Sequence, residues 1–261
     1  MDTLHFNTRI KIAKNKPIQV NVVDDLPSAE NITPLIAHEL KNPLTSIRGY
    51  TELILSGATG PITPDQHKYL LTILSNVQRM SLLVADLADT EKIESGHLSL
   101  DLRSVSFNQA LDEVMLSARP LIEEKNLKAQ VDLPDEPVQI MADYNRLAQI
   151  LTNLVSNAIK YTPEGGLIEI RAEKEHPLDP DAPKGLLHVR IVDSGIGISE
   201  ENQKKIFQKY FRAQDDQIRG IPGTGLGLYI TKMLVNMHHG QIWIDSEAGK
   251  GSTFHFTVPL A

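Results

Sequence analysis

Ala37-His38-Glu39-Leu40-Lys41-Asn42-Pro43 sets a histidine beside a carboxylate, with an amide one helical turn further on. Around it, Ile36, Leu40, Pro43, Ile47, Tyr50 and Ile54 follow alternating steps of four and three, a heptad seam over residues 29–56. His38 is two residues past Ile36, about 200° round a helix, so it falls off the seam and is expected to face solvent. Asn42 shares its face. Pro43 removes a backbone donor inside the helix, and a local kink is expected there. Gly57-Ala58-Thr59-Gly60-Pro61 ends the helix. Thr63-Pro64-Asp65-Gln66 opens another, with Thr63 as N-cap, Pro64 at the first helical position and Gln66 closing a capping box. Leu70, Ile73, Val77, Met80, Val84 and Leu87 repeat the seam until Ser95-Gly96. Two such helices with a short connection predict an antiparallel hairpin. Alone it would leave Ile47, Ile54, Ile73 and Val77 uncovered, so a second copy is expected to complete a four-helix bundle.

Past Gly96 helices and strands alternate. Helices are expected over 107–125, 143–161, 199–207 and 225–238. Strands are expected over 127–133, 138–142, 166–173, 187–193, 241–246 and 253–259. This order suggests an α/β sandwich, a mixed sheet on one side and helices on the other. The whole is α+β, with three segments. Residues 29–96 form the hairpin and 97–261 the sandwich. Residues 1–28 are an extension or remnant in which partial alternation suggests two short strands.

Bulk properties narrow the function. Lys and Arg number 26 against 33 Asp and Glu, a net charge of −7, which argues against a nucleic-acid binder with a broad basic face. The chain has no cysteine, so thiol nucleophiles, thiolate metal sites and disulfides are excluded. No apolar run approaches ~18 residues and no signal-peptide pattern opens the chain, so a cytoplasmic location without a membrane span is expected.

Three further motifs carry chemistry. Asn153, Asn157 and Lys160 are spaced by four and three and line one helical face, while Leu147, Ile150, Leu151, Leu154 and Ala158 line another. An amide oxygen suits a hard cation such as Mg²⁺, and a lysine one turn away supplies charge for phosphate. Asp193 closes a strand and enters Asp193-Ser194-Gly195-Ile196-Gly197, where a carboxylate can accept an adenine amino group and the glycines Gly195 and Gly197 let the backbone approach the base. Gly223-Thr224-Gly225-Leu226-Gly227 precedes a helix, whose N-terminal amides attract anionic oxygens. Its G-x-G-x-G spacing is not that of a dinucleotide fold. Gly249-Lys250-Gly251-Ser252-Thr253 superficially looks like a Walker lysine, but Ile244 stands where the earlier glycine is needed.

Together these motifs resemble a sensor histidine kinase of two-component signalling, over roughly residues 29–261. His-Glu-Leu-Lys-Asn-Pro is similar to the H-box, the residues from Asn153 to Pro163 to the N-box of the Bergerat ATP-binding fold, and the two glycine runs to its G1 and G2 boxes. The resemblance implies that His38 is the phosphoacceptor and that Glu39 assists it. It assigns Mg²⁺ to Asn157, phosphate-side contacts to Asn153 and Lys160, and a wall against adenine to Tyr161. Residues 208–222 would be an ATP lid, anchored by the F-box aromatics Phe207, Tyr210 and Phe211. Arg212 would neutralise charge on the γ-phosphate, or is a solvated lid arginine. Asn42 would position water against a partner's phospho-aspartate, or only shapes the helix before Pro43. The implied partners are a second copy of the chain and the receiver domain of a response regulator. That receiver is expected to dock around Thr45, Ser46, Arg48, Gly49 and Tyr50. A nucleotide-binding scaffold without turnover, and an ATP hydrolase or serine kinase on the same fold, are the competing classes; intact His38 and the hairpin speak against them.

Overall fold

The structure, a computed structural model, describes residues 29–175, 185–213 and 223–261; for residues 29–36 and 38 the backbone alone is described. The two strands expected before residue 29 lie outside the described residues, as does most of the expected lid.

The first two elements are α1 (Ala29–Leu55) and α2 (Pro64–Glu94), which pack along each other as a hairpin. The capping box forms as read: the Gln66 amide donates to Thr63 Oγ1 at 3.2 Å and the Thr63 amide to Gln66 Oε1 at 2.8 Å. Such a cap stabilises a helix by about 1 kcal/mol. α1 runs unbroken through Pro43.

The hairpin's interior row differs from the expected seam. Ala37, Leu44 and Thr51 of α1, stepping by seven, are buried, whereas Leu40, Ile47 and Tyr50 are exposed. Small residues at 37 and 51 let the two helices approach, and the larger side chains are left on an outer surface. Ile47 and Ile73 are 44% and 43% exposed, in keeping with a seam awaiting another copy, but Val77 is only 5% exposed and belongs to the hairpin interior. By length and composition α2 also meets the measure of a membrane span, against the sequence expectation. It packs along α1 and makes the polar contacts described below.

The sandwich follows with β1 (Arg103–Ser106), α3 (Phe107–Glu124), β2 (Lys128–Asp132), β3 (Gln139–Ala142), α4 (Tyr144–Tyr161), β4 (Leu167–Glu175), β5 (Leu186–Asp193), the short α5 (Glu200–Gln203), α6 (Gly227–Met237), β6 (Ile242–Glu247) and β7 (Gly251–Pro259). Five strands make one mixed sheet, ordered β2-β4-β5-β7-β6, in which only β2 and β4 run parallel. β3 is not part of it. It pairs antiparallel with β1, a strand the alternation did not reveal, in a separate two-stranded sheet. The final helix starts two residues later than expected, because Gly225 takes φ +73°.

α4 sits at the centre of this arrangement. Leu147, Ile150, Leu151, Leu154 and Ala158 are buried in the main core with Ile168, Ile170, Val189, Ile191 and Phe256 of the sheet. Each such side chain contributes about 1.5–3 kcal/mol of burial. The helix is thereby fixed about its axis, which turns Asn153, Asn157 and Lys160 to the other side, half-buried.

The exposed rows of the hairpin lead to an expectation about assembly. Light scattering of the full chain at micromolar concentration should give the mass of a dimer, and residues 97–261 alone the mass of a monomer. A monomeric full chain would remove the bundle from this account.

Candidate active site

Lys125, just past α3, organises the end of α4. Its ammonium donates to the carbonyls of Ile159 at 2.8 Å, Lys160 at 3.2 Å and Thr162 at 2.8 Å. The remaining carbonyl of that turn, Tyr161, accepts the Ile196 amide at 3.3 Å. Carbonyls at a helix end lack internal partners and carry negative partial charge, so a cation there is favourable. The turn that holds Lys160 and Tyr161 is thus tied both to α3 and to the glycine turn after β5.

Asp193 ends β5 with its side chain buried. Its Oδ1 accepts the Gly195 amide at 2.8 Å. Burial pushes its carboxyl up to about 6, although the amides of Gly195 and Ser252 pull the other way. A side chain at Gly195 would come within 2.5 Å of Asp193 Oδ1 and 2.7 Å of the Tyr161 carbonyl oxygen, so only glycine fits. Gly197 follows at φ +66° and packs on the Glu247 carbonyl.

The second glycine run closes the opposite side. A Cβ on Gly223 would lie 3.1 Å from Lys160 Nζ and 4.0 Å from Arg212 Nε, which places both cations beside this loop. Lys160 Nζ also stands 4.9 Å from the centre of the Tyr161 ring. Burial pushes the Lys160 ammonium down, and the like charges of Arg212 and of Arg79 on α2 add to the effect. Gly227 opens α6 with Asn153 Oδ1 2.5 Å from where its Cβ would be. Asn153 Nδ2 donates to Thr231 Oγ1 at 2.7 Å, so this asparagine, expected at the phosphates, is engaged with α6. No side chain caps α6, and the Leu226 amide donates to Thr224 Oγ1 at 3.0 Å. Phe207 meets Phe254 edge-on, with ring centres 6.5 Å apart, which anchors the stretch leading to Arg212.

His238 holds the far end of α6. Its Nδ1 donates to the Leu234 carbonyl at 2.7 Å and its Nε2 accepts the Asp143 amide at 3.1 Å. That pattern requires the neutral ring, and burial pushes its pKa down accordingly. Asp143 caps α4, so the two site helices are joined through this imidazole.

The sandwich rests on the hairpin through an acidic row of α2. Asp89 pairs with Arg146 at 2.7 Å and accepts Gln149 Nε2 at 2.9 Å. Glu94 pairs with Lys209 at 2.8 Å and accepts the Tyr229 hydroxyl at 3.2 Å. Asp86 accepts the Thr224 hydroxyl at 3.2 Å, a contact made from inside the second glycine run.

The structure therefore gathers Asn153, Asn157, Lys160, Tyr161, Asp193, Arg212 and both glycine runs around one site. His38, Glu39 and Asn42 lie apart from it on α1. Glu39 and Asn42 are exposed, and the expectation for the His38 side chain falls outside the described residues. Lys125, His238 and the acidic row were not anticipated. A lysine before an asparagine at φ +52° reads as a helix end, but not as a cap for a different helix. Among the described residues no three His, Asp or Glu side chains gather to hold a metal ion. The donor set still suits Mg²⁺, which keeps several waters and phosphate oxygens and needs as little as one oxygen from the protein, here the Asn157 amide.

Residues 31–96 match the family described as the His Kinase A (phospho-acceptor) domain, and residues 142–261 that of the histidine kinase-, DNA gyrase B- and HSP90-like ATPases. The chain belongs to the sensor histidine kinases. It is 32% identical over 226 residues to the sensor histidine kinase WalK of Bacillus subtilis, covering 86% of this chain and 35% of WalK. It is 32% identical over 254 residues to the adaptive-response sensory kinase SasA of Crocosphaera subtropica, covering 96% of this chain and 64% of SasA. It thus spans less than two thirds of the length of these relatives. Among solved structures it is similar to full-length ShkA in complex with AMPPNP, with TM-score 0.71 and 25% identity over 88% of this chain and 46% of that one. The catalytic domain of the histidine kinase ThkA gives TM-score 0.51 and 31% identity over 61% of this chain and 96% of that one.

The buried carboxylate sets a pH-dependent cost. Asp193 moves from 3.8 unfolded to about 6 folded, so the fold binds the extra proton between those values and loses stability as pH rises through them. Above pH 6 the cost is on the order of 2–3 kcal/mol. Asp193→Asn should therefore melt above wild type at pH 8, with the gain fading toward pH 4, while losing preference for adenine over guanine nucleotides by calorimetry. A gain independent of pH would contradict the assigned cause.

Proposed function

We propose that the chain is an ATP-dependent protein histidine kinase that phosphorylates His38 and passes the phosphoryl group to an aspartate of a response-regulator receiver domain. The observation that supports this most is the hydrogen bond between Thr224 and Asp86, which joins the phosphate-side glycine run to the hairpin that carries His38. ATP is the substrate. Asp193 accepts the adenine amino group, Tyr161 flanks the base, and Lys160, Arg212 and the amides at the start of α6 face the polyphosphate. Asn157 would hold Mg²⁺, which would supply charge neutralisation between the phosphates.

A neutral His38 nitrogen donates its lone pair to the γ-phosphorus. The N–P bond forms as the bond to the β-phosphate oxygen breaks, and ADP leaves with that electron pair. The Glu39 carboxylate orients the ring and accepts its proton. The phosphoryl group then moves from nitrogen to a carboxylate oxygen of the receiver, and the ring takes back its proton from Glu39, which regenerates neutral His38 and the Glu39 carboxylate. Thr45, Ser46, Arg48, Gly49 and Tyr50 are exposed on α1 and offer that receiver a docking surface. Dependence on ATP assigns the chain to the cytoplasm. Asn42, exposed one turn from His38, orients water against the receiver's phospho-aspartate in a second, phosphatase activity.

His38→Gln should abolish acid-labile labelling from γ-labelled ATP and leave nucleotide affinity within about two-fold of wild type. Label retained on that variant would move the acceptor elsewhere. Asn42→Ala should keep autophosphorylation within about three-fold and slow regulator dephosphorylation by about ten-fold or more. Equal loss of both activities would assign Asn42 to the helix before Pro43 alone.

A further inference from the structure

The cations around the phosphate side of the pocket come from two units of the chain. Lys160 ends α4, and Arg212 lies at the base of the lid segment. Arg79 belongs to α2, on the hairpin. It is exposed, and among the described residues no ion pair involves it. Seven residues separate it from Asp86, two turns of helix, so the two share a face to within about 20°. That face is turned to the pocket, because Asp86 holds the Thr224 hydroxyl at 3.2 Å. Gly223 is the next residue, with Lys160 Nζ 3.1 Å and Arg212 Nε 4.0 Å from its Cβ position. Arg79 is close enough for its charge to act on the Lys160 ammonium.

The position along the hairpin matters as much. Arg79 stands 15 residues after the start of α2 at Pro64, and His38 stands 17 residues before the end of α1 at Leu55. At 1.5 Å per residue both lie about 23–25 Å from the turn, at nearly one level. A guanidinium there stands on the face of α2 that Asp86 turns to the pocket, level with the backbone of the acceptor. Its planar fork suits two oxygens of a phosphoryl group at once.

The geometry points to Arg79 as a further catalytic residue, supplied by the hairpin, that contacts the γ-phosphoryl oxygens during transfer from ATP to His38. This rests on the kinase reading above. As the bond to the β-phosphate oxygen breaks and the N–P bond forms, negative charge is shared among the three oxygens of the moving group. Lys160 and Arg212 remain on the nucleotide side. Arg79 meets those oxygens on the acceptor side, and it does so only when the two units are docked. The γ-phosphate, which ADP lacks, is its ligand.

The test uses the full chain with Arg79→Gln, Arg79→Lys and Lys160→Gln, measuring His38 labelling against ATP concentration, ADP affinity, dimer mass and melting. Arg79→Gln should lower the maximal labelling rate by about ten-fold or more, with KM for ATP and affinity for ADP changed less than about three-fold. The reverse reaction, phosphohistidine with ADP, should slow by the same factor. Arg79→Lys should recover part of the loss. Lys160→Gln should instead weaken binding of both nucleotides. A labelling rate for Arg79→Gln within about two-fold of wild type, beside an impaired Lys160→Gln, would overturn the role of Arg79 alone. A loss that merely tracks loss of dimer or of melting temperature would do the same. A Lys160→Gln variant that binds ATP like wild type would overturn the pocket reading itself.

Discussion

One ammonium sets the spacing of the nucleotide site. Lys125 reaches three consecutive-turn carbonyls at the end of α4, those of Ile159, Lys160 and Thr162. Hydrogen bonds to a charged donor contribute roughly 1.5–3 kcal/mol each, more than neutral ones. The cost of leaving such carbonyls without partners under the neighbouring segments would be comparable. Because the fourth carbonyl is taken by the Ile196 amide, the same turn fixes the glycine run after β5. Lys160, Tyr161 and Asp193 sit on the two segments so joined. Their separation is therefore not a loop's free choice but a consequence of one side chain from α3's end.

The contact between sandwich and hairpin is built on a weaker principle. Glu94 and Lys209 are partly exposed, and ion pairs of that kind contribute at most about 1 kcal/mol. Asp89 with Arg146 and Gln149 is better shielded and forms the firmer point. Burial pushes the Asp86 carboxyl up, a sign that its place beneath Thr224 is not its most comfortable one. A few polar contacts of this size suit an interface that opens and closes. The proposed function would require this, since a receiver domain would have to reach the same hairpin after the nucleotide domain had used it.

Much of this was legible in the sequence because the relevant signals are local. The α4 periodicity separates Leu147, Ile150, Leu151 and Leu154 from Asn153, Asn157 and Lys160 without reference to any other segment. The Thr63–Gln66 capping box and the strand carrying Val189, Ile191 and Asp193 are equally self-contained. What escaped depends on distant partners. β1 exists only because Gln139–Ala142 lies beside it, and four residues with two exposed positions give little alternation to read. The hairpin seam was misplaced by one row, since periodicity marks every apolar face and does not say which neighbour covers it. Lys125 and His238 are ordinary in sequence; the carbonyls Lys125 holds lie 34 or more residues away, and the Asp143 amide that His238 accepts lies 95 away.

Two charged groups of the site stand at an electrostatic cost. Lys160 is pushed down by burial and by two guanidiniums, and Asp193 is held as a buried carboxylate above about pH 6. Neither feature helps the fold. In the proposed function one ligand would relieve both: phosphates would offset the cations, and an adenine amino group would give Asp193 a donor. Ligand present at a hundred times its Kd stabilises a fold by about 2.7 kcal/mol, and here that stabilisation would be concentrated at these two groups. The two relieving interactions differ in reach. On the proposed reading adenine would act wholly within the sandwich, whereas a terminal phosphate would extend toward α2 and its Arg79. A triphosphate would therefore favour the docked arrangement through a charge that a diphosphate lacks. Loss of that charge on transfer would remove the attraction and leave the interface with its few weak pairs, ready to open.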